Sequence, residues 1–513
     1  MNKLLLATLT AITIYSCYDD KGNYDYHEIS EIMVDSIRES YEVIAYRDTL
    51  IIKPEITTTN PADEFEYLWT VYSSERKNKE GKIIVDTIGQ EPMLTFPVDL
   101  RPADYKLTFT LKNKDGREQY ETAFLYVRTD LLRGFYLFKD INGNAELDLH
   151  RPGDAVMSDL LEKSGMTYRQ PYFLGICPAY SFINAETGQY DWATTLNIMT
   201  ENHCHILSTD YLSEVASYDN LFFGEKPNGN PLFLCPGVYG AYFFTEDGAY
   251  ATTYSTYNLT SGKFGDKLVF TEYPQGITKN YQISPHISSL SNIYQVYFFD
   301  ELSNQILYVD YLGESITNFM DGNSIVKIPH TLKYLGGSGF RLLALFEDEQ
   351  NAEKYYLYFL KVSMMGMSDA ILSIHEFEHN SPLVGASMYA CNETDGNVLY
   401  CVKDGKFYVY YVEDERTEEF TPQEFDTSAE ITWLGHCYWT ASNDSQNNFN
   451  YLAIATYKEG YYKVYFYEKM SAQPYGKPKL ILEGKGRVKG VQYASPEMSQ
   501  STNSNLSLIY NLF

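Results

Sequence analysis

Two histidines in this sequence have the spacing of a zinc-protease motif. The stretch His375-Glu376-Phe377-Glu378-His379 satisfies H-E-x-x-H, in which two histidines on one helical face bind zinc and the glutamate acts as general base for the bound water. The flanking residues predict a strand instead, because 371–378 follow the strand-like run 355–359 as its return strand. In a strand the histidines lie ~13 Å apart, too far to share one zinc. We interpret the motif as a chance match and keep a zinc peptidase using His375, Glu376 and His379 as the alternative.

Four aromatic side chains could bind a ligand by stacking. Trp192, Trp433, His436 and Trp439 are the candidates, and the last three fall in a single seven-residue stretch. Flat aromatic faces can pack against sugar rings, which makes these positions candidates for glycan binding. Core packing is the competing interpretation for any one of them, because large aromatic residues are mostly buried.

His203 and His205 form a second histidine cluster around Cys204. On a strand the two rings share one face and could hold a metal together with a distant carboxylate. A polar turn after 197–201 explains them without a metal, and we favour that interpretation.

Asp140, Asn142 and Asn144 resemble the start of a calcium loop. Ala145 replaces the glycine that such a loop requires, and Arg151 replaces its closing glutamate. An Asn-Gly hairpin turn at 142–143 explains the same residues. The sequence therefore predicts no metal site and no cofactor.

Nucleophilic catalysis has no motif in this chain. The sequence contains neither a G-x-S-x-G elbow nor a phosphate-binding G-x-x-x-x-G-K-[ST] loop. Asp and Glu number 68, which is too many to select a glycosidase pair from the sequence alone. We predict no catalytic residues, and a propeller hydrolase with unassigned carboxylates is a further alternative.

Cys17 ends a segment with the features of a bacterial lipoprotein signal. A positive start at 1–3 precedes the apolar run 4–15, and the small Ser16 stands directly before the cysteine. The run is too short to span a bilayer, and a lipidated Cys17 would instead anchor the mature chain through acyl groups. The alternative is an ordinary secretory signal with an incidental cysteine. No later segment approaches ~18 consecutive apolar residues.

The composition excludes several classes of partner. A net charge of −28 over 513 residues argues against nucleic-acid binding and against a polybasic membrane patch. Aromatic residues make up 16 %, with 48 tyrosines, which favours strands and recognition surfaces over a helical protein. The six cysteines after Cys17 are widely and irregularly spaced, so disulfides and buried free thiols both remain open.

Residues 30–130 predict a β-sandwich. Short alternating runs at 40–46, 49–56 and 65–72 are typical of half-buried strands. Asp115-Gly116 between two further alternating runs predicts a hairpin, because glycine tolerates the positive φ of the turn.

The same region carries a family resemblance. The run 103–111 followed by Asp115-Gly116 is similar to the late strands of PKD (polycystic kidney disease) and other Ig-like domains, and Tyr67-Leu68-Trp69 resembles their core tryptophan strand. The characteristic Trp-Asp-Phe-Gly-Asp-Gly turn is absent after Trp69. With Cys17 and a polar, acidic tether at 18–29, the chain resembles PKD-like surface lipoproteins of Bacteroidota, which are commonly encoded near SusC/SusD-type uptake systems. The resemblance implies a cell-surface location and a nutrient-uptake setting rather than a reaction.

Residues 131–513 predict a propeller-like domain. Pairs of short aromatic strands joined by polar turns recur at intervals of roughly 45–60 residues, the size of a four-stranded blade with long loops. The turns Asn142-Gly143, Asp404-Gly405 and Glu459-Gly460 belong to this pattern, and we expect about seven blades. The run 506–513 is predicted to close the ring by pairing with the blade that begins near Gly134. A string of further β-sandwiches is the structural alternative.

Together these features predict an all-β, non-enzymatic surface lipoprotein. A signal peptide with its lipidated cysteine (1–17) and a tether (18–29) would precede the sandwich and the propeller, and acyl chains would hold the protein at the outer membrane. The expected ligand is a glycan or a peptide, the expected partner is a SusC/SusD-type uptake complex, and no nucleic acid is expected. The alternatives are the zinc peptidase and a purely structural subunit of the uptake complex.

Overall fold

The structure is a computed structural model, and strands make up most of it. It describes residues 31–507 except for 61–63, 115, 152, 154–155, 186, 202, 238–239, 253–261, 291–294, 311, 364–365, 367, 393, 395–396 and 499–504. Cys17 and the predicted tether therefore lie outside the described residues. No helix in the described part of the chain has the length and apolar character needed to cross a membrane.

The N-terminal domain is a β-sandwich, as predicted. Its strands are β1 (Ile32–Asp35), β2 (Ser40–Ile44), β3 (Thr49–Ile52), β4 (Glu55–Thr58), β5 (Phe65–Lys77), β6 (Ile83–Gly89), β7 (Leu94–Pro97), β8 (Ala103–Asn113) and β9 (Glu118–Arg128). One sheet has the order β2-β9-β8-β5-β6, in which β2 runs parallel to β9, and β3 pairs with β7 while β1 pairs with β4. The predicted hairpin is confirmed by the β8–β9 register, although Asp115 itself lies outside the described residues.

Trp69 lies at the centre of the sandwich core. Its side chain is 0 % exposed and its ring centroid lies 4.2 Å from that of Phe109. Its indole N–H donates to the carbonyl of Glu91 at 2.9 Å, so the buried polar atom is satisfied. The prediction that 67–69 forms the core tryptophan strand is confirmed.

From Gly134 onward the described strands form seven sheets arranged as the blades of a propeller and one small two-stranded sheet. The strands are, in blade 1, β10 (Gly134–Ile141), β11 (Asn144–His150) and β12 (Tyr168–Arg169); in blade 2, β13 (Pro171–Ile183), β14 (Tyr190–Thr200), β15 (His203–Ser208) and β16 (Glu214–Ser217); in blade 3, β17 (Pro231–Gly237), β18 (Gly240–Thr245) and β19 (Gly248–Ala251); in blade 4, β20 (Val269–Glu272), β21 (Ile277–Lys279), β22 (Ile283–Leu290), β23 (Gln295–Asp300), β24 (Gln305–Val309) and β25 (Ser315–Asn318).

The remaining strands complete the ring. They are the small hairpin β26 (Met320–Asp321) and β27 (Ser324–Ile325); in blade 5, β28 (His330–Ser338), β29 (Arg341–Asp348), β30 (Tyr355–Lys361) and β31 (Ala370–Phe377); in blade 6, β32 (Met388–Cys391), β33 (Val398–Lys403), β34 (Lys406–Tyr411) and β35 (Arg416–Phe420); in blade 7, β36 (Glu430–Thr440), β37 (Phe449–Lys458), β38 (Tyr461–Met470) and β39 (Gln473–Lys485); then β40 (Arg487–Ala494) and β41 (Asn505–Ser507). A short helix, α1 (Leu160–Lys163), and 3₁₀ turns at Ser442–Asn447 and Pro496–Met498 accompany them.

Tight two-residue turns connect the second and third strands of several blades. Both residues of each turn have a positive φ, between 52° and 91°, in Asn142-Gly143, Asp404-Gly405 and Glu459-Gly460. Such turns match the right-handed twist of antiparallel strands, which explains why an Asn-Gly or Asp-Gly pair predicts a hairpin. The predicted turns at these positions are confirmed.

The first blade is completed by a strand from the end of the chain. β40 pairs antiparallel with β10, from Gly134 opposite Ala494 to Asp140 opposite Arg487. As the innermost strand of blade 1, β40 contacts β13 of blade 2 on one side and β36 of blade 7 on the other. The innermost strands of the other blades also contact their neighbours in turn, so the ring is closed.

The prediction that 506–513 closes the ring is wrong. Residues 505–507 form β41, which pairs with β36 of blade 7, and 508–513 lie outside the described residues. The closing strand 487–494 has a weak apolar pattern because it carries charged residues and a glycine. That glycine, Gly490, is required by crowding, since a Cβ there would lie 2.9 Å from the Cβ of Leu174.

The two ends of the ring differ in what they contact. Connections from the first to the second strand and from the third to the fourth strand of a blade lie at one end, because neighbouring strands are antiparallel. The hydroxyl of Tyr46 in the sandwich donates to the carbonyl of Tyr211 at this end, and the Arg101 guanidinium lies 4.3 Å from the Tyr211 ring centroid. Asp130, between the domains, accepts from Arg151 at 2.6 Å. We call this the sandwich end and the other the opposite end.

A buried polar network joins the first blade to the last. Lys139 and Asp148 are both 0 % exposed, and the Lys139 ammonium donates to Asp148 at 2.7 Å and to Asp159 at 2.9 Å. The hydroxyl of Tyr462 in blade 7 donates to the second carboxylate oxygen of Asp148 at 2.7 Å and lies 2.7 Å from Nε2 of His150. Each buried charge is therefore paired, as burial in a low dielectric requires.

Tyr462→Phe is expected to lower the free energy of unfolding by about 1–3 kcal/mol, because a carboxylate oxygen of Asp148 would lose its buried donor. Tyr461→Phe is the matched control, since Tyr461 is 57 % exposed and the change should cost less than about 0.5 kcal/mol. Urea denaturation of both variants measures the difference, and equal stabilities would contradict a structural role for the network.

Candidate functional site

The exposed end of the β13–β14 hairpin carries three apolar side chains on one face. Tyr190 and Trp192 are two residues apart on β14 and therefore point to the same side, and Ile183 lies directly opposite Tyr190 in the register. Their exposed fractions are 58 % for Tyr190, 57 % for Trp192 and 45 % for Ile183. We call these three residues the hairpin platform. It lies at the sandwich end of the ring.

Backbone bonds and packing hold the hairpin in place. The backbone N–H of Asn184 donates to the carbonyl of Gln189 at 2.9 Å, and the backbone N–H of Gly188 donates to the carbonyl of Asn184 at 2.8 Å. On the other face of the hairpin Phe182 and Ala193 are each 4 % exposed, so the alternation of the strands buries one side and exposes the platform. The platform is therefore a preformed surface on a rigid element.

The other three predicted binding residues belong to the core. Trp433, His436 and Trp439 are 6 %, 1 % and 0 % exposed. They lie on β36, the innermost strand of blade 7, whose two faces are covered by the neighbouring blades and by β40. The prediction that these three side chains bind a ligand at the surface is corrected, because a buried ring cannot stack on a sugar.

His436 takes part in a polar junction between blades 6 and 7. Its Nε2 lies 2.7 Å from Oδ1 of Asn450 and 2.5 Å from the Lys469 ammonium. Lys469 also donates to Asn392 at 3.0 Å and to Thr394 at 3.2 Å, so its ammonium has hydrogen-bond acceptors although it is partly buried. Burial, together with the Lys469 charge, lowers the pKa of His436 to about 3. The imidazole is neutral near pH 7 and its role is structural.

Stability should fall as the pH decreases from about 6.5 towards 4. The folded state lowers the pKa of His436 to about 3 and that of His150 to about 4, so the unfolded chain takes up protons first. Thermal unfolding between pH 7.5 and 4.5 measures the slope, which His436→Gln should make shallower. An unchanged slope in that variant would contradict the neutral state of His436.

The H-E-x-x-H stretch does not form a helix. His375 is in β31, which ends at Phe377, and His379 lies in the following turn. Both ring nitrogens of His375 lie 2.5 Å from hydroxyl oxygens, those of Ser373 and Tyr410. The strand interpretation of the motif is confirmed.

Glu376, the base of the alternative peptidase, has a different role here. Its side chain is 51 % exposed and accepts from the Lys354 ammonium at 2.6 Å. In the part of the chain that the structure describes, no group of three or more His, Cys, Asp and Glu side chains is arranged to hold a metal.

His203 and His205 share one face of a strand, as the sequence suggested. Their rings stack with centroids 4.5 Å apart, and β15 begins at His203. Each ring has its own carboxylate, with Glu214 at 2.6 Å from His205 and Asp219 at 3.4 Å from His203. The favoured interpretation as a polar turn is wrong, because the strand begins there.

Asp140, Asn142 and Asn144 belong to a hairpin turn, as predicted. Asp140 accepts from the backbone N–H of Gly143 at 2.6 Å, and Asn144 begins β11 directly after the turn. The carboxylate thus stabilises the turn.

The six cysteines of the described chain are buried thiols rather than disulfides. They are Cys177, Cys204, Cys235, Cys391, Cys401 and Cys437. Burial raises the pKa of Cys177 and of Cys401 to about 12, so these thiols are protonated and unreactive near pH 7. Of the two interpretations left open by the sequence, the structure has the buried thiols.

Sequence reasoning found Trp192 but missed its two neighbours on the platform. The available signal was the alternation of Tyr190 and Trp192 directly after the turn at Thr187-Gly188, which places both rings on one face of a strand. Ile183 could be added only after the register of the hairpin was known.

Residues 17–166 match a PKD-like family. The match covers the described part of the sandwich and continues through β10, β11 and α1 of the first blade. No curated protein matches the chain.

Solved structures with similar folds are distant. A quinonprotein alcohol dehydrogenase-like protein from Bacteroides thetaiotaomicron has 15 % identity and a TM-score of 0.43, covering 95 % of this chain and 100 % of that one. The Cps50 (Swd1) β-propeller domain of Myceliophteria thermophila has 11 % identity, a TM-score of 0.33 and coverages of 61 % and 87 %. YCF48 from Cyanidioschyzon merolae has 11 % identity, a TM-score of 0.31 and coverages of 64 % and 99 %. At these values no activity, ligand or partner is carried over to this chain.

Proposed function

We propose that this protein is a non-enzymatic, ligand-binding lipoprotein of the bacterial outer membrane. Acyl groups on Cys17 hold it at the cell surface, and the sandwich connects that anchor to the propeller. Its ligand is a glycan or a peptide, which it presents to a SusC/SusD-type uptake complex. The match of 17–166 to a PKD-like family supports the likeness to surface lipoproteins on which this setting rests.

The exposure of Trp192 carries the binding part of the proposal. The chain has four tryptophans, and the other three are 0–6 % exposed. A large indole that is 57 % exposed beside a tyrosine and an isoleucine forms an apolar surface at the tip of a rigid hairpin. Such a surface stacks on the apolar face of a sugar ring or on an apolar peptide side chain.

The environment of the candidate histidines weighs against the zinc-peptidase alternative. His375 and His436 are buried and bonded to hydroxyl, amide and ammonium groups, and His379 lies in a turn beyond the strand that holds His375. The two histidines of the peptidase alternative thus belong to different elements, whereas zinc peptidases place them on one helical face.

Trp192→Ala should weaken binding of the ligand by about tenfold or more, because stacking and apolar burial at one aromatic ring are worth about 1–3 kcal/mol. A glycan and peptide array probed with the whole protein identifies the ligand, and titration calorimetry measures the change. Tyr461→Ala is the matched control, since that ring is also 57 % exposed but belongs to blade 7. If both variants bind as the native protein does, the platform is not the binding site.

Cys17→Ser should move the protein from the membrane fraction to the soluble fraction. The reason is that acyl chains, rather than a membrane-spanning helix, would provide the anchor. Incorporation of labelled palmitate into the native protein but not into the variant checks the modification. Membrane retention of the variant, or an unlabelled native protein, would contradict the anchor.

A further inference from the structure

Two lysines face one pocket at the opposite end of the ring, between blades 4 and 5. The pocket has a volume of about 590 Å³ and is lined by Lys279, Asn280, Leu302, Ser303, Asn304, Lys327 and Pro329. Its size falls within the range of about 300–1,000 Å³ that is typical of small-molecule sites. Its lining combines two ammonium groups with amides, a hydroxyl and two apolar side chains, and contains no carboxylate. We call it the lysine pocket.

Hydrogen bonds fix the loops that form the lysine pocket. Asp300 is 0 % exposed, and its carboxylate accepts from the N–H groups of Leu302 and Ser303 at 3.1 and 3.2 Å. The N–H of Ile328 donates to the carbonyl of Asn304 at 2.7 Å and so joins the two loops. Ile328 is itself 0 % exposed, which anchors the loop that carries Lys327. The walls are therefore set before a ligand arrives, which lowers the entropic cost of binding.

Only Lys279 of the two lysines has a carboxylate partner within 4 Å in the described chain. The Lys279 ammonium donates to Oε1 of Glu272 at 2.5 Å, and Gln305 donates to the same oxygen at 3.0 Å. The hydrogen bond from Lys279, which outweighs burial, lowers the pKa of Glu272, and the Lys327 charge acts in the same direction. Within the described chain, Lys327 has no ion-pair partner within 4 Å. The Lys327 ammonium is thus the group left to pair with an anionic ligand.

The lysine pocket differs in charge from the rest of the protein. The chain carries a net charge of −28, so its overall field repels anions. A pocket lined by two ammonium groups and no carboxylate is a local exception to that field. Lysine donates strong charge-assisted hydrogen bonds to carboxylate and sulfate oxygens, and the amides of Asn280 and Asn304 can bond neighbouring hydroxyl groups. Leu302 is 60 % exposed and offers an apolar contact beside them.

We propose that the lysine pocket binds a sugar that carries an oxyanion, a carboxylate as in a hexuronate or a sulfate ester. The oxyanion lies between Lys279 and Lys327, the amides bond the sugar hydroxyl groups, and the apolar side chains contact the ring. This site is separate from the hairpin platform at the sandwich end. The proposal is therefore tested independently of any ligand that binds the platform.

Binding of D-glucuronate, glucose 6-sulfate and uncharged D-glucose to the whole protein at low salt tests the proposal by titration calorimetry. At least one of the two anionic sugars should bind about tenfold or more tightly than glucose, because a charge-assisted bond is gained. The tighter of the two identifies whether the carboxylate or the sulfate is the preferred group. Salt should weaken this binding and leave that of glucose unchanged.

Variants of opposite expected effect make the test specific. Lys327→Ala should weaken binding of the anionic sugar about tenfold, whereas Glu272→Gln should strengthen it by releasing Lys279. Lys477→Ala is the control, since it removes the same charge from a side chain that is 73 % exposed and paired with Glu424 in another part of the ring. Equal affinities for glucose and both anions, no binding of any of them, or equal effects of Lys327→Ala and Lys477→Ala would overturn the proposal.

Discussion

The pairing of β40 with β10 is the constraint on which the rest of this structure depends. A row of blades that ends in an open strand exposes an unpaired backbone edge and leaves the faces of its terminal blades in water. Here the chain returns after blade 7 and supplies the innermost strand of blade 1, so every blade has a neighbour on both sides. The buried bonds of Tyr462 to Asp148 and His150 act across the same junction. Sequence separations of more than 300 residues are thereby bridged by one strand and one polar network.

The two proposed binding surfaces lie at opposite ends of the closed ring. Because neighbouring strands are antiparallel, the connections of each blade alternate between the two ends of the ring. The sandwich and the hairpin platform lie at one end, and the lysine pocket lies at the other.

The sequence predicted the repeating elements better than it predicted burial. Asn142-Gly143 and similar turns have a local physical cause in positive φ, and the turns could be placed without knowledge of the fold. Trp433, His436 and Trp439 could not be assigned to core or surface in this way. The innermost strand of a blade is covered on both faces, so its sequence shows no alternation that would separate buried from exposed side chains.

Long-range features were missed for a related reason. Lys279 and Lys327 belong to different loops and become neighbours only when blades 4 and 5 are side by side. The closing strand was misassigned because the apolar run 506–513 has a stronger local pattern than 487–494, which contains Gly490 and the charged Arg487 and Lys489. Position in the ring, rather than local propensity, determines which lysines become neighbours and which strand closes the ring.

Hydrogen exchange in the segment 134–141, followed by mass spectrometry, tests the closure most directly. The exchange is compared among the full chain, a chain that ends at residue 498 and a chain that ends at residue 486. The account predicts slow exchange in the first two and fast exchange in the third, since only the third lacks β40. Slow exchange in the chain ending at 486, or fast exchange in the chain ending at 498, would contradict closure by this strand.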